Sequence, residues 1–375
     1  MFYKEIEVRQ NTPYKVTCMI KTENVSGATE DPLAGAQICL NGTEEHSRVL
    51  SGNNDWTKVE FLFNSKNNES VEIGFRLGGV LLEATGEAWF SDLTIEEGIS
   101  DTTNTWNFGC FILNNINVEI DNKIVKLSMS NYEKSTVVSD MQRLQGSIVE
   151  MTSNQMNIEY DIIEIDEALT TLSFDDENGY YIGEKDVYNL IDSYVNQNEY
   201  DHIFVCTNLP LESKLTNGEP VEEWIGLGNM IYLGKGFSNV RVLTDGYFSS
   251  AFSEEVYIHE FLHTLERNSK EYGYSVPALH DYEKYGYSEE NVEGLKRWYI
   301  AYMNSNIRSN GKYIGLPSEI YTLKPAQKSD FKFSYELDLL DEPENISEII
   351  QSIIAKIKNV FEEKNKVYNF EGVSQ

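Results

Sequence analysis

The sequence is short of cysteine, of histidine and of basic residues, and it contains no long apolar run. Its four cysteines, Cys18, Cys39, Cys110 and Cys206, stand singly inside apolar segments. No C-x-x-C pair is present, which argues against a zinc knuckle or a dithiol redox site. We therefore expect buried free thiols, with a Cys18–Cys39 disulfide as the alternative.

Basic residues are half as frequent as acidic ones. In 375 residues, 30 Lys and Arg stand against 61 Asp and Glu, which gives a formal charge of −31. This balance excludes nucleic acid and anionic membrane surfaces as expected partners. No stretch is long and apolar enough for a transmembrane segment, and no basic leader precedes an apolar core.

Two of the five histidines belong to one short motif, H-E-x-x-H, formed by His259, Glu260 and His263 within Ser253–Glu266. On a helix these three side chains share an arc of roughly 100°. Histidines at i and i+4 point to the same side, so a single tetrahedral metal ion can bind both. The glutamate lies beside the metal, where a base that takes a proton from a metal-activated water must be. The motif therefore predicts a helix that carries a Zn²⁺ site and its general base.

A solvated helix face is the simpler interpretation of these three residues, but the rest of the helix argues against it. The opposite arc is continuously apolar, with Ile258, Phe261, Leu262 and Leu265. Histidine is also scarce in this chain, so two on one face favour metal binding.

Residues 1–98 consist of short runs in which apolar and polar residues alternate. Tyr14, Val16, Cys18 and Ile20 are one such series, and turn residues separate the runs. Period-two alternation without a helical stretch predicts an all-β antiparallel sandwich.

The successive runs Y-K-V-T-C-M-I-K-T-E-N-V, N-D-W-T-K-V-E-F-L-F and G-E-A-W-F-S-D-L-T-I-E-E resemble the jelly-roll carbohydrate-binding modules that accompany secreted bacterial enzymes. The resemblance implies a glycan as partner and Trp56 and Trp89 as residues that stack on a sugar ring, although either tryptophan could instead be a core residue. It also implies a secreted or cell-surface protein, which assumes that a leader has been trimmed before the first residue.

A polar linker at 99–104 separates this domain from residues with mixed patterning. We expect helices at about Asn131–Met151 and Glu184–Val195, and strands at Asn157–Ile165 and from His202 to Cys206. Glycine-rich strands are expected in Trp224–Leu243.

This order of strands and helices before H-E-x-x-H resembles the catalytic domain of zincin metallopeptidases. The predicted fold class is thus multidomain, with an α+β zincin-like domain at 105–340 after the sandwich. A stripe of isoleucines in Glu344–Asn365 predicts an amphipathic helix within 341–375, packed on the catalytic domain.

The third zinc ligand is the open question of the sequence. The metzincin pattern requires Gly at 266 and His at 269, whereas this chain has Glu266 and Ser269. We favour His280, because imidazole is the commonest zinc ligand and histidine is scarce here. Asp281 is the rival, because aspzincin peptidases use an aspartate near a Tyr-Gly pair. The gluzincin pattern would instead use one of four glutamates: Glu283, Glu289, Glu290 or Glu293.

The expected function is that of a zinc-dependent endopeptidase acting on extracellular protein or glycoprotein, with Glu260 as the general base. Tyr285, Tyr299 and Tyr302 are candidates for stabilising an oxyanion. The alternative is a glycan- or protein-binding surface protein whose zincin-like domain is not catalytic.

Overall fold

The computed structural model describes residues 2–27, 34–80, 83–120, 122–175, 178–195, 200–209, 224–242, 252–288, 291–325, 331, 333–336 and 373–374. Two compact units separate between Ser100 and Asp101, inside the predicted linker, and the second unit ends at Pro325.

The first unit is built from strands in the order in which the alternating runs occur. These are β1 (Phe2–Glu7), β2 (Pro13–Gly27), β3 (Gly35–Leu40), β4 (Gly52–Asn64), β5 (Ser70–Gly78) and β6 (Ala84–Glu97). They form two antiparallel sheets, one in the order β1-β5-β3 and one containing β6-β2-β4. Both sheets contribute side chains to one hydrophobic core, which confirms the prediction of a β-rich first domain.

The second unit combines helices and strands. Its elements are β7 (Thr105–Leu113), β8 (Asn115–Ile120), β9 (Lys123–Ser128), α1 (Asn131–Met151), β10 (Asn157–Ile165), β11 (Ser173–Asp175), β12 (Gly179–Tyr181), α2 (Glu184–Val195), β13 (His202–Thr207), β14 (Gly226–Tyr232), β15 (Lys235–Arg241), α3 (Glu255–Glu271), α4 (Val292–Met303), β16 (Ile307–Ser309) and β17 (Lys312–Ile314). Short 3₁₀ turns lie at Glu283–Tyr285 and Ser318–Thr322.

Local sequence explains why α1 begins where it does. Ser130 accepts a hydrogen bond from the Glu133 backbone N–H, and the Glu133 carboxylate accepts one from the Ser130 N–H. This reciprocal capping box satisfies two donors that the helix itself cannot pair. The buried side of α1 carries the predicted apolar spacing, with Val137, Met141 and Leu144 inside.

A five-stranded sheet in the order β10-β7-β13-β15-β14 organises the second unit. All neighbours are parallel except β14, which runs antiparallel to β15 at one edge. The central strand β13 is buried along its whole length, as expected of a parallel strand covered on both faces. One face packs with α1, α3 and α4, and the other packs with α2.

Two segments near the C-terminus differ from the sequence-based prediction. The strands β18 (Phe333–Glu336) and β19 (Val373–Ser374) both pair antiparallel with β6, in the first unit. The predicted domain 105–340 therefore extends past Pro325, where the second unit ends, and β18 pairs with β6 of the first unit. Likewise, part of 341–375 pairs with the first unit as a strand, whereas the predicted helix at Glu344–Asn365 lies outside the described residues.

All four cysteines are buried and free, so the Cys18–Cys39 disulfide does not form. In the described ranges, no helix has both the length and the apolar character needed to cross a bilayer.

Candidate metal centre

Helix α3 carries the H-E-x-x-H motif with the orientation that its periodicity predicts. The apolar arc is completely buried in the core of the second unit, with Ile258, Phe261, Leu262 and Leu265 at 0 % exposure. His259 and His263 lie on the other side and are partly exposed. The core thus fixes the rotation of the helix and leaves its histidine face accessible.

His280 joins these two histidines from a segment without helix or strand. Its Nε2 atom lies 3.1 Å from Nε2 of His259 and 3.2 Å from Nε2 of His263. The rival Asp281 instead pairs with Lys284, with 2.6 Å between Oδ2 and Nζ. Among the described residues, no other Asp, Glu, Cys or His joins the group, and Glu289 and Glu290 lie outside them.

The three nitrogens fit a tetrahedral metal ion better than they fit a hydrogen-bond network. Ligands at the usual Zn–N distance of roughly 2.0–2.1 Å are about 3.3–3.4 Å apart. A single ring nitrogen has one proton or one lone pair, so Nε2 of His280 cannot satisfy two other ring nitrogens by hydrogen bonding. A cation between three lone pairs removes this conflict.

Tyr299 contacts Nδ1 of His259, the outer ring nitrogen that does not face His280. The tyrosine hydroxyl donates a hydrogen bond to Oε1 of the buried Glu255 and lies 2.9 Å from Nδ1 of His259. Because the hydroxyl proton is used by Glu255, its oxygen accepts from Nδ1–H, and the lone pair of His259 is left on Nε2. Desolvation, followed by the nearby imidazoles of His263 and His280, lowers the pKa of His259 to about 3, so the ring is neutral at pH 7.

Glu266 lies behind the second histidine. Its Oε2 atom is 3.6 Å from Nδ1 of His263, and its Oε1 atom is 2.6 Å from Nζ of Lys270. Desolvation alone would raise the pKa of Glu266, but its contacts with His263 and Lys270 outweigh it and lower that pKa to about 2. The carboxylate is therefore charged and able to orient the imidazole.

The motif glutamate, Glu260, is buried between α3 and the edge strand β14. A side chain on Gly228 would put a Cβ 2.5 Å from Oε2 of Glu260, and one on Gly226 would put it 2.6 Å from Cγ2 of Val256. The Gly228 backbone N–H hydrogen-bonds the Glu260 carboxylate. Desolvation, followed by the charge of Glu255, nevertheless raises the pKa of Glu260 well above its usual value. A shift in this direction makes the carboxylate a stronger base than a solvated glutamate.

The other two tyrosines singled out in the sequence have different neighbours. The Tyr302 hydroxyl donates to the Pro277 carbonyl oxygen at 3.1 Å, and the Tyr285 ring stacks alongside Trp298. Of the three tyrosines, Tyr299 is the one whose hydroxyl contacts a histidine of the group.

Sequence reasoning missed the roles of Glu255, Glu266 and the two glycines. The spacing of Glu255 and Glu266, four residues before His259 and three after His263, was the signal that could have identified them. The glycines gave no comparable signal, because their neighbour Glu260 is distant in sequence.

No protein-family model matches this chain, and the searches of curated proteins and of solved structures also gave no match. What the site can do must therefore be derived from its own geometry.

Proposed function

We propose that the second unit is a zinc-dependent endopeptidase of the zincin type, with His259, His263 and His280 as ligands. The observation that carries the proposal is the convergence of three imidazole Nε2 atoms beside the buried Glu260. Nε2 of His280 lies 3.1 Å from Nε2 of His259 and 3.2 Å from Nε2 of His263. An antiparallel edge strand next to the H-E-x-x-H helix supports the zincin assignment, because zincins bind extended peptides along such a strand.

A bound Zn²⁺ would act as a Lewis acid and lower the pKa of water to about 7. The chain's own contribution is the movement of a proton at Glu260. This carboxylate accepts the proton of the attacking water and passes it to the leaving amine of the peptide. The Gly228 N–H keeps the carboxylate in place while it does so.

A Glu260→Gln variant tests the proposed reaction. The amide keeps the shape of the side chain but cannot accept a proton, so peptide cleavage should fall by about 10²–10⁴-fold. Zn²⁺ content, measured on the same full-length samples by atomic absorption, should stay at wild-type level. Cleavage of a peptide library at wild-type rate by this variant would exclude Glu260 as the base.

The competing proposal is a binding protein whose metal site is not catalytic. Wild-type protein that holds one Zn²⁺ but cleaves no member of a broad peptide library would favour it. The endopeptidase proposal includes secretion or cell-surface display, where protein and glycoprotein substrates are accessible.

For the first unit, we propose glycan binding by a jelly-roll module. Trp56 is 44 % exposed on β4, next to Thr57, whose partner on β2 is Ile20. Lys21 follows Ile20 and pairs with Trp89 on β6, with its Nζ 5.6 Å from the Trp89 ring centroid. The two tryptophans and Lys21 therefore share the outer face of the sheet, where aromatic rings can stack on sugars.

A glycan array probed with the full chain and with a Trp56→Ala, Trp89→Ala double variant tests this second proposal. Binding by wild type that the double variant loses would support it. The absence of binding at millimolar sugar would leave the first unit as a spacer.

A further inference from the structure

Glu266 stands where a metzincin would have glycine, and its carboxylate reaches beyond the helix to which it belongs. The same Oε2 atom that faces Nδ1 of His263 also accepts the backbone N–H of Leu279, at 3.3 Å. Leu279 directly precedes His280. One carboxylate oxygen thus contacts one ligand imidazole and the peptide next to another.

The loop that carries His280 needs such an attachment. Between Gly273 and Tyr282 the chain forms no helix or strand, and the Asp281 N–H donates to the Ala278 carbonyl oxygen at 3.0 Å to close a turn around Leu279 and His280. Side chains of the neighbouring helices hold this turn through both peptide groups of Leu279. Its N–H donates to Glu266 on α3, and its carbonyl oxygen accepts the indole N–H of Trp298 on α4 at 2.9 Å.

Pairing with Lys270 does not account for the burial of Glu266. The Lys270 side chain is 55 % exposed, whereas that of Glu266 is 10 % exposed. An ion pair with an exposed lysine stabilises a protein little and gives no reason to bury the carboxylate. The contacts made by Oε2, in contrast, are with His263 and with the peptide that precedes His280.

We infer that Glu266 is a positioning residue of the metal site, which holds the helix ligand His263 and the loop ligand His280 in one arrangement before the metal binds. The inference rests on the proposed function, since it takes these histidines as ligands.

The test measures Zn²⁺ affinity of the full chain by competition with a chromophoric chelator, and it needs no substrate. We expect Glu266→Ala to raise the dissociation constant by about 10–100-fold, the usual effect of losing a partner behind a metal ligand. Glu266→Gln should give a smaller increase, because its amide oxygen still accepts the Leu279 N–H although the charge facing His263 is gone. Lys270→Met, which removes the exposed partner, is the matched control and should bind Zn²⁺ as wild type does.

A second readout is the visible absorption of Co²⁺ in the same site, which reports ligand geometry. The spectrum should change in both Glu266 variants and stay constant in Lys270→Met. Circular dichroism shows which variants are folded, and the near-isosteric Glu266→Gln carries the test alone if Glu266→Ala does not fold.

Wild-type Zn²⁺ affinity and an unchanged Co²⁺ spectrum in a folded Glu266 variant would overturn the inference and leave Glu266 as a partner of Lys270. A wild-type chain that binds no Zn²⁺ would overturn the proposed metal site and the positioning role with it. The two failures are distinct, because only the second is visible without any substitution.

Discussion

Each helix histidine of the candidate site has an acidic residue behind its outer nitrogen. Glu255 acts on His259 through the Tyr299 hydroxyl, and Glu266 faces His263 directly. Partners of this kind select the tautomer that presents Nε2 to a metal and restrict rotation of the ring. At the scale of single residues, the candidate site is therefore set up by side chains that lie behind the histidines rather than among them.

A different buried acid, Glu184, makes stability depend on pH. It lies in the first turn of α2, accepts a hydrogen bond from the Tyr188 hydroxyl at 2.9 Å, and has a pKa that desolvation raises to about 8. In the unfolded chain its pKa returns to the usual carboxyl value, so the folded state binds more protons between these two values. The contribution of Glu184 to stability is therefore present at low pH and is lost as pH rises to about 8.

Glu184→Gln mimics the protonated acid and should remove this dependence. We expect the variant to have a higher urea midpoint than wild type at pH 8 and a similar midpoint at pH 5. If the urea midpoints of the variant and of wild type differ by the same amount at pH 5 and at pH 8, the raised pKa of Glu184 is contradicted.

At the scale of elements, α3 and the edge strand β14 pack together around the Glu260 side chain. Gly226 and Gly228 leave room on β14 for the Glu260 side chain, and the Gly228 N–H binds its carboxylate. The requirement for glycine here is steric, since a Cβ at either position would overlap α3.

Gly228→Ala should displace either the strand or Glu260. The new Cβ would lie 2.5 Å from Oε2 of Glu260 and 2.9 Å from its backbone oxygen. We expect peptide cleavage to fall by about 10²-fold or more, as when a catalytic group is misplaced by about 1 Å. Zn²⁺ affinity should change little, because the three heavy atoms nearest to the new Cβ all belong to Glu260.

Gly146→Ala is the matched control for that substitution. Gly146 lies in α1, and a Cβ there would meet nothing within 4 Å. Alanine should stabilise the helix by about 0.5–1 kcal/mol and leave cleavage unchanged. Equal cleavage by the two variants would show that Gly228 does not position the base.

At the scale of the whole molecule, a buried lysine, Lys324, connects the two ends of the second unit. The Lys324 ammonium binds Asp101 and the Thr105 carbonyl oxygen, both at the start of the unit, and lies 3.6 Å from Oδ2 of the buried Asp201. The amine thus joins the first and last segments of the unit. Burial raises the pKa of Asp201 to about 6, although Lys324 opposes that rise.

Lys324→Met should destabilise the protein by about 3–5 kcal/mol, because it removes a buried cation that Asp101, the Thr105 carbonyl oxygen and the buried Asp201 share. Urea unfolding of the full chain checks this, and a further Asp201→Asn change should recover part of the loss. Lys134→Met, which breaks a more exposed pair with Glu164, should cost at most about 1 kcal/mol. A Lys324→Met loss no larger than that of Lys134→Met would contradict the role of Lys324.

The sequence alone determined the elements whose signals are local. The helices at Asn131–Met151 and Glu184–Val195 and the strand at Asn157–Ile165 have the predicted bounds. Hydrophobic periodicity, capping residues and turn residues involve only residues close together in the sequence, so they can be recognised without a structure. The same is true of the face of α3 that carries His259 and His263.

Only the tertiary structure decided which distant residues meet these faces. It brought His280 rather than Asp281 to the two helix histidines, placed Gly228 against Glu260, and paired the strand Phe333–Glu336 with the first unit. Periodicity shows which side of an element is buried but not which residue it contacts. Those contacts depend on how the apolar faces pack together, and the resulting core holds a loop histidine beside a helix that ends many residues earlier.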